Sequence, residues 1–105
     1  MSEGDSLDEE GFVKQPEMWN PNLAKTMAED QFKMTLNESQ LNVINIVREY
    51  YLKWGAVPMN KTIVTKANLT NEDLDQMFKR GNSSARGVLC KLGGLPKMMC
   101  VAMGC

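Results

Sequence analysis

The sequence predicts a mainly α-helical protein: a small helical bundle with a helix-turn-helix-like core, a short N-terminal β-hairpin and a flexible C-terminal arm. Apolar residues recur every three or four positions over residues 38–54. Capping residues, glycines and prolines then divide the chain into further short helical segments. The 105 residues suffice for one domain. We expect a disordered N-terminus at 1–7, a helical domain at 8–92 and a mobile cysteine-bearing arm at 93–105.

Two sequence patterns predict a β-hairpin and a helix in the N-terminal part of the chain. The run Gly11-Phe12-Val13, followed by Pro16, predicts a small β-hairpin within residues 8–19. Asn20-Pro21 is typical of a helix start, with a capping residue followed by proline at the first helical position. The helix that begins there is expected to run to about Glu29.

The longest helix is predicted over residues 38–54. Thr35 and Glu38 have the spacing of a capping box, and Gly55 is a favourable residue for ending a helix. An apolar stripe predicts that this helix lies in the core; its members are Leu41, Ile44, Val47, Tyr51 and Trp54, widened by Val43, Ile46 and Tyr50.

Three shorter helices follow, each marked at its start. Pro58 and Asn60 begin a helix near 60–67, and Thr70 begins another with Glu72 and Asp73 in its first turn. Gly81-Asn82-Ser83 breaks the chain before a helix at about 84–92. The apolar residues of the three helices are Ile63, Val64, Leu74, Met77, Phe78, Val88, Leu89 and Leu92. Gly93-Gly94 and Pro96 end the last one, and we expect no regular structure beyond them.

Charge is distributed unevenly although the net charge is only −1. Residues 1–52 hold ten acids and four bases, whereas residues 53–105 hold three acids and eight bases. The basic half suits an acidic partner, an oxyanion or nucleic acid. The acidic start has no apolar segment typical of a secretory signal, so we predict a cytoplasmic protein without membrane insertion.

All three cysteines, Cys90, Cys100 and Cys105, lie in the last sixteen residues. In a reducing cytoplasm such thiols are redox-active or catalytic more often than structural. Lys97 lies three residues before Cys100, and a nearby cation favours the nucleophilic thiolate. The C-terminal end of a helix dipole disfavours the thiolate at Cys90, and the terminal carboxylate disfavours it at Cys105. This chemistry favours Cys100 as the nucleophile.

Several other functions remain open. Three thiols without any histidine make a poor metal site and exclude a Cys–His dyad, so we expect neither metal nor cofactor. Residues 38–67 have the spacing of a helix-turn-helix, with Lys61 and Lys66 on the second helix, which leaves a DNA-binding regulator as one alternative. An interaction domain with incidental thiols is another, in which Cys90 simply packs in the core.

The chain resembles the DsrC/TusE family of sulfur-relay proteins over nearly its whole length. The resemblance lies in Asp8-Glu9-Glu10-Gly11-Phe12, in Trp19-Asn20, in Val47-Arg48-Glu49-Tyr50-Tyr51, and above all in Cys90-Lys91-Leu92-Gly93-Gly94-Leu95-Pro96-Lys97 followed by Cys100-Val101. It implies a helical bundle with a flexible arm whose thiol enters a partner enzyme and leaves with sulfur. The resemblance makes Cys100 the partner-engaging thiol and Cys90 the resolving thiol, in a carrier rather than a stand-alone enzyme.

Two details of the resemblance stay open. Spacing from Lys97 favours Cys100 as the carrier thiol, whereas the ending Gly104-Cys105 also matches the family's final Gly-Cys. Cys90 is typical of the DsrC branch, whose partner is dissimilatory sulfite reductase and whose two cysteines are reopened by a disulfide or trisulfide reductase. The short segment between Lys66 and Met77 is typical of the TusE branch, which passes a persulfide towards 2-thiouridine in tRNA.

Overall fold

Six α-helices build the part of the chain that the computed structural model describes, namely residues 7–81 and 83–102 without the side chains of residues 16 and 100–102. A short 3₁₀ turn, Pro16–Met18, precedes them. In chain order the helices are α1 (Pro21–Phe32), α2 (Glu38–Trp54), α3 (Asn60–Ala67), α4 (Asn71–Phe78), α5 (Ala85–Leu92) and α6 (Lys97–Ala102). The prediction of a mainly α-helical domain is therefore confirmed.

Helix α5 occupies the centre of the core. Most of its residues are buried, and α1, α2, α4 and α6 all pack against it. The Ser84 hydroxyl begins the helix by accepting a hydrogen bond from the Gly87 N–H, which satisfies one of the N–H groups that a helix start leaves free. Because Cys90 lies on α5, the candidate site is built on the most enclosed element of the fold.

The long helix α2 begins with a different capping box from the predicted one. Asn37, not Thr35, is the capping residue: its side chain accepts from the Gln40 N–H, and the Gln40 side chain accepts from the Asn37 N–H. Gln40 is also buried and donates to the Met77 carbonyl at the end of α4. This tertiary hydrogen bond favours the register that uses Gln40, which the sequence pattern alone did not distinguish from Thr35 and Glu38.

The apolar stripe of α2 is confirmed at its centre and wrong at its end. Val43, Ile44 and Val47 are buried, whereas Trp54 is 63% exposed. Leu52 and Lys53 are exposed as well, so the last turn of α2 faces solvent. Gly55 ends the helix with φ of 70°, as its sequence position predicts.

The other predicted helices are confirmed, with small changes in their bounds. Asn20 caps α1 as expected, although the helix continues three residues beyond Glu29. Thr70 and Asp73 form a capping box at α4. Helices α2 and α3 pack against each other around the turn at Gly55, as a helix-turn-helix-like arrangement requires.

The N-terminal hairpin is reduced to a single antiparallel bridge between Leu7 and Val13. No strand occurs in residues 7–81 or 83–102. The Asp8 carboxylate accepts from the N–H groups of Glu10 and Phe12 and closes a tight turn directly inside this bridge. We call residues 8–12 the N-terminal turn. Disorder was predicted for residues 1–7; residues 1–6 lie outside the described residues, and Leu7 forms this bridge.

The segment after Pro96 also differs from the expectation of no regular structure. Residues 97–102 form α6, which packs against α5. The Pro96 carbonyl accepts from the Met99 N–H in the first turn of α6, and methionine and alanine then favour continuation of the helix. The mobility of residues 93–105 as an arm stays a prediction. None of the described helices is long and apolar enough to cross a membrane.

The revised capping box can be tested by stability. We expect Asn37→Ala to lower the free energy of unfolding by about 1 kcal/mol, since the Gln40 N–H loses its side-chain acceptor. The matched control Thr35→Ala changes an exposed residue outside the helix and should stay within about 0.5 kcal/mol of the wild type. Urea unfolding monitored by circular dichroism measures both. A larger loss for Thr35→Ala than for Asn37→Ala would contradict the assignment.

Candidate functional site

Cys90 is completely buried on α5 and is disulfide-bonded. The chain contains two other cysteines, Cys100 and Cys105. Cys100 lies on α6, the helix that packs against α5, although its side chain and all of Cys105 lie outside the described residues. The described structure therefore brings the backbone of Cys100 into the neighbourhood of the helix that carries Cys90.

A sharp reversal of the chain joins α5 to α6. The Leu95 N–H donates to the Cys90 carbonyl at 3.1 Å, and the Gly94 N–H donates to the Lys91 carbonyl at 3.2 Å. This pair of bonds is the Schellman motif, which satisfies the last carbonyls of a helix and requires a left-handed residue. Gly94 supplies it with φ of 76°. We call residues 93–96 the α5–α6 turn; it is bonded directly to the backbone of Cys90.

Two side chains from distant parts of the sequence hold the C-terminal end of α5. The Trp19 Nε1–H donates to the Leu92 carbonyl at 2.6 Å, and Arg48 Nη1 donates to the Gly93 carbonyl at 2.8 Å. The Arg48 guanidinium lies 4.5 Å from the centroid of the Trp19 ring. A cation here also interacts favourably with the negative end of the α5 dipole. We call Trp19 and Arg48 the turn clamp.

Burial changes the pKa of the arginine of the clamp. Desolvation lowers the pKa of Arg48 from its ordinary value, because the charged form loses contact with water. The guanidinium nevertheless stays protonated at any physiological pH. Sequence reasoning did not identify the clamp, since Trp19 and Leu92 are 73 positions apart and no local pattern connects them.

Lys91 and Lys97, which lie on either side of the α5–α6 turn, contact residues from the first third of the chain. Lys91 Nζ lies 4.5 Å from the centroid of the Phe12 ring and 5.8 Å from that of Phe32. Lys97, at the start of α6, forms an ion pair with Glu10 of the N-terminal turn. The lysine expected to assist Cys100 is therefore also a contact that ties α6 to the opposite end of the chain.

A second surface feature lies on α2 and α3 and involves no thiol. A pocket of about 260 Å³ is lined by Ile46, Glu49, Tyr50, Lys53, Trp54 and Lys66. Lys61 and Lys66, the two lysines of the helix-turn-helix alternative, are exposed on α3. Among the described residues, no group of three or more potential ligands is arranged to hold a metal ion.

Comparison with known proteins identifies the family. The sequence profile described as "DsrC like protein" matches residues 3–101, which is most of the chain. The chain belongs to the DsrC-like family. The resemblance in the N-terminal, central and cysteine-bearing segments is thereby confirmed.

The relatives of this DsrC-like chain include both branches of the family. Sulfurtransferase TusE from Buchnera aphidicola subsp. Schizaphis graminum is 29% identical over 94 residues, covering 86% of this chain and 82% of the relative. The gamma subunit of dissimilatory-type sulfite reductase from Nitratidesulfovibrio vulgaris is 24% identical over 91 residues, covering 87% and 84%. The branch is not decided by these identities.

A solved structure gives the same fold. The crystal structure of the oxidized gamma subunit of dissimilatory sulfite reductase (DsrC) from Archaeoglobus fulgidus superposes with a TM-score of 0.69 at 26% identity. The match covers 87% of this chain and 86% of that one. The predicted family and its helical fold are thus confirmed together.

The close fit of Gly94 against the clamp can be tested by adding one methyl group. A Cβ at residue 94 would lie 2.8 Å from Trp19 Cδ1 and 3.0 Å from Arg48 Nη1, whereas one at Gly55 would meet nothing within 4 Å. Both glycines have positive φ, so Gly55→Ala controls for backbone strain, which costs roughly 1–2 kcal/mol. Gly94→Ala should lose roughly 1–3 kcal/mol more through overpacking. Equal losses in urea unfolding would contradict the tight contact.

Proposed function

We propose that this protein is a sulfur carrier of the DsrC/TusE type, which takes up and transfers sulfur through thiols at its C-terminal end. The observation that carries the proposal is the buried, disulfide-bonded Cys90, followed by a chain reversal that returns α6, with Cys100, to the side of α5. A dithiol placed in this way can alternate between a closed disulfide and two free thiols. Family membership supports the same conclusion.

Cys100 is the thiol that we assign to sulfur uptake. Its thiolate attacks the outer sulfur of a donor persulfide, so that a Cys100 persulfide forms and the donor leaves as a thiolate. This transfer involves no net oxidation or reduction. Cys105 is the alternative carrier thiol, because the chain also ends in Gly104-Cys105.

Cys90 is the thiol that we assign to resolution. Its thiolate attacks the inner sulfur of the persulfide, a protein disulfide forms, and the outer sulfur leaves as hydrosulfide. The two cysteine sulfurs are oxidised while the released sulfur is reduced by the same two electrons. A dithiol reductase, acting as the disulfide or trisulfide reductase of the cycle, then restores both thiols.

The partner differs between the two branches of the family. With a dissimilatory sulfite reductase, four electrons would bring sulfite sulfur to the zero oxidation state while protons carry its three oxygens away as water. The two thiols would supply two of these electrons, the reductase's own electron donor would supply the other two, and the sulfur would bridge the two cysteines. With a relay for tRNA thiolation, the persulfide would pass on without resolution. Cys90 favours the sulfite reductase system, because only a resolving thiol gives the buried position a chemical task.

The test is peptide mass spectrometry on protein that is first fully reduced, freed of reductant and then incubated with glutathione persulfide, with a sample that receives no donor as the reference. Trypsin cleaves after Arg86, Lys91 and Lys97, so peptide 87–91 carries Cys90 and peptide 98–105 carries both other cysteines. We expect added sulfur on peptide 98–105 or a bridge between the two peptides. Cys100→Ala should abolish both products, whereas Cys105→Ala should retain them.

Two controls make the result unambiguous. Peptide 98–105 contains three methionines, and two methionine oxidations add nearly the same mass as one sulfur. A phosphine reductant removes persulfide sulfur and leaves methionine sulfoxide unchanged. Cys90→Ser should still load sulfur but form no bridge. Peptides that stay unmodified in the wild type would overturn the proposal, and loading that is lost only in Cys105→Ala would move the carrier role to that residue.

A further inference from the structure

We propose that the turn clamp sets the redox equilibrium of the Cys90 disulfide, so that Arg48 and Trp19 are positioning residues for the thiol chemistry. This inference rests on the proposed function, because it assigns a role in opening and closing the same disulfide. Each residue donates a hydrogen bond to a backbone carbonyl at the end of α5. Both act on the turn that determines where α6 lies relative to Cys90.

The first argument is the convergence of the two donors. Leu92 and Gly93 are consecutive residues at the end of α5, and their carbonyls receive the Trp19 and Arg48 hydrogen bonds respectively. The stacking of guanidinium on indole holds the two donors together. Movement of the turn away from its position would therefore break both hydrogen bonds at once.

The second argument is the connection from the clamp to Cys90. Gly94 lies against both clamp side chains, and Leu95, the next residue, is 1% exposed and bonds to the Cys90 carbonyl. Gly93, Gly94 and Leu95 therefore form a continuous connection between the clamp and Cys90. A chain fixed in this way presents α6 to Cys90 in a narrow range of orientations, which raises the effective concentration of a thiol on α6.

The inference predicts a change in the equilibrium constant between the protein disulfide and glutathione. One protein disulfide and two glutathione molecules give two protein thiols and one glutathione disulfide, so the equilibrium constant measures the effective concentration of the protein thiols. A clamp that merely stabilises the fold contributes equally to the oxidised and reduced forms and leaves this constant unchanged. A clamp that positions the turn favours the disulfide, and its removal shifts the constant towards the dithiol.

The experiment is a glutathione redox titration of the full chain, with the Cys90 bridge read by peptide mass spectrometry. Arg48→Gln and Trp19→Phe are compared with Lys53→Gln and Trp54→Phe. The control pair suits the purpose because Lys53 Nζ also lies over a tryptophan ring, at 5.2 Å from the Trp54 centroid, but at the exposed end of α2. We expect a roughly tenfold shift towards the dithiol for Arg48→Gln, as for loss of a hydrogen bond from a charged group. Tenfold corresponds to about 30 mV.

The possible outcomes separate the inference from the proposed function. Wild-type redox constants in both clamp variants, with reduced unfolding free energy in a Cys90→Ser background, would overturn the inference and leave the clamp purely structural. If Arg48→Gln fails to fold, Trp19→Phe decides the matter, because it keeps an aromatic ring and removes the indole N–H donor, while Trp54→Phe controls for the smaller ring. A redox constant that shifts in the clamp variants, in a protein that takes up no sulfur, would overturn the proposed function alone, and absence of the bridge in the wild type would overturn both.

Discussion

The hydrogen bond from the Leu95 N–H to the Cys90 carbonyl is the constraint on which the candidate site depends. It closes the Schellman motif at the end of α5, turns the chain back and places α6 beside the helix from which it departs. The left-handed conformation of Gly94 is a condition for this bond. Burial of Leu95 then anchors the reversed chain in the core.

Complete burial of Cys90 has a chemical meaning for a carrier. A sulfur atom without solvent exposure is shielded from oxidants and from small thiols, because these reagents need access to the attacked atom. The buried position of Cys90 therefore limits which reagents reach its sulfur, which suits the resolving role proposed above.

Local signals predicted those parts of the fold that local interactions determine. The capping residues Asn20 and Thr70 marked two helix starts correctly, since each bonds to backbone within its own first turn. The start of α5 was predicted within one residue, although its cap is Ser84 and lies just after the predicted break at 81–83. The errors arise where tertiary contacts decide. The start of α2 follows from the bond between Gln40 and Met77, and the clamp joins residues that no short motif relates. The role of Cys90 as a site residue stays a prediction, and its buried surroundings could not be derived from the sequence pattern.

The contacts that hold the α5–α6 turn and the start of α6 join residues that are far apart in the sequence. The clamp bonds connect residues 45 and 73 positions apart, and the Lys97–Glu10 ion pair connects residues 87 apart. Contacts of such large sequence separation close long loops, and their entropic cost delays them relative to the helices. The N-terminal turn and α6 therefore come together only after the helices that carry the clamp residues and Cys90 have formed.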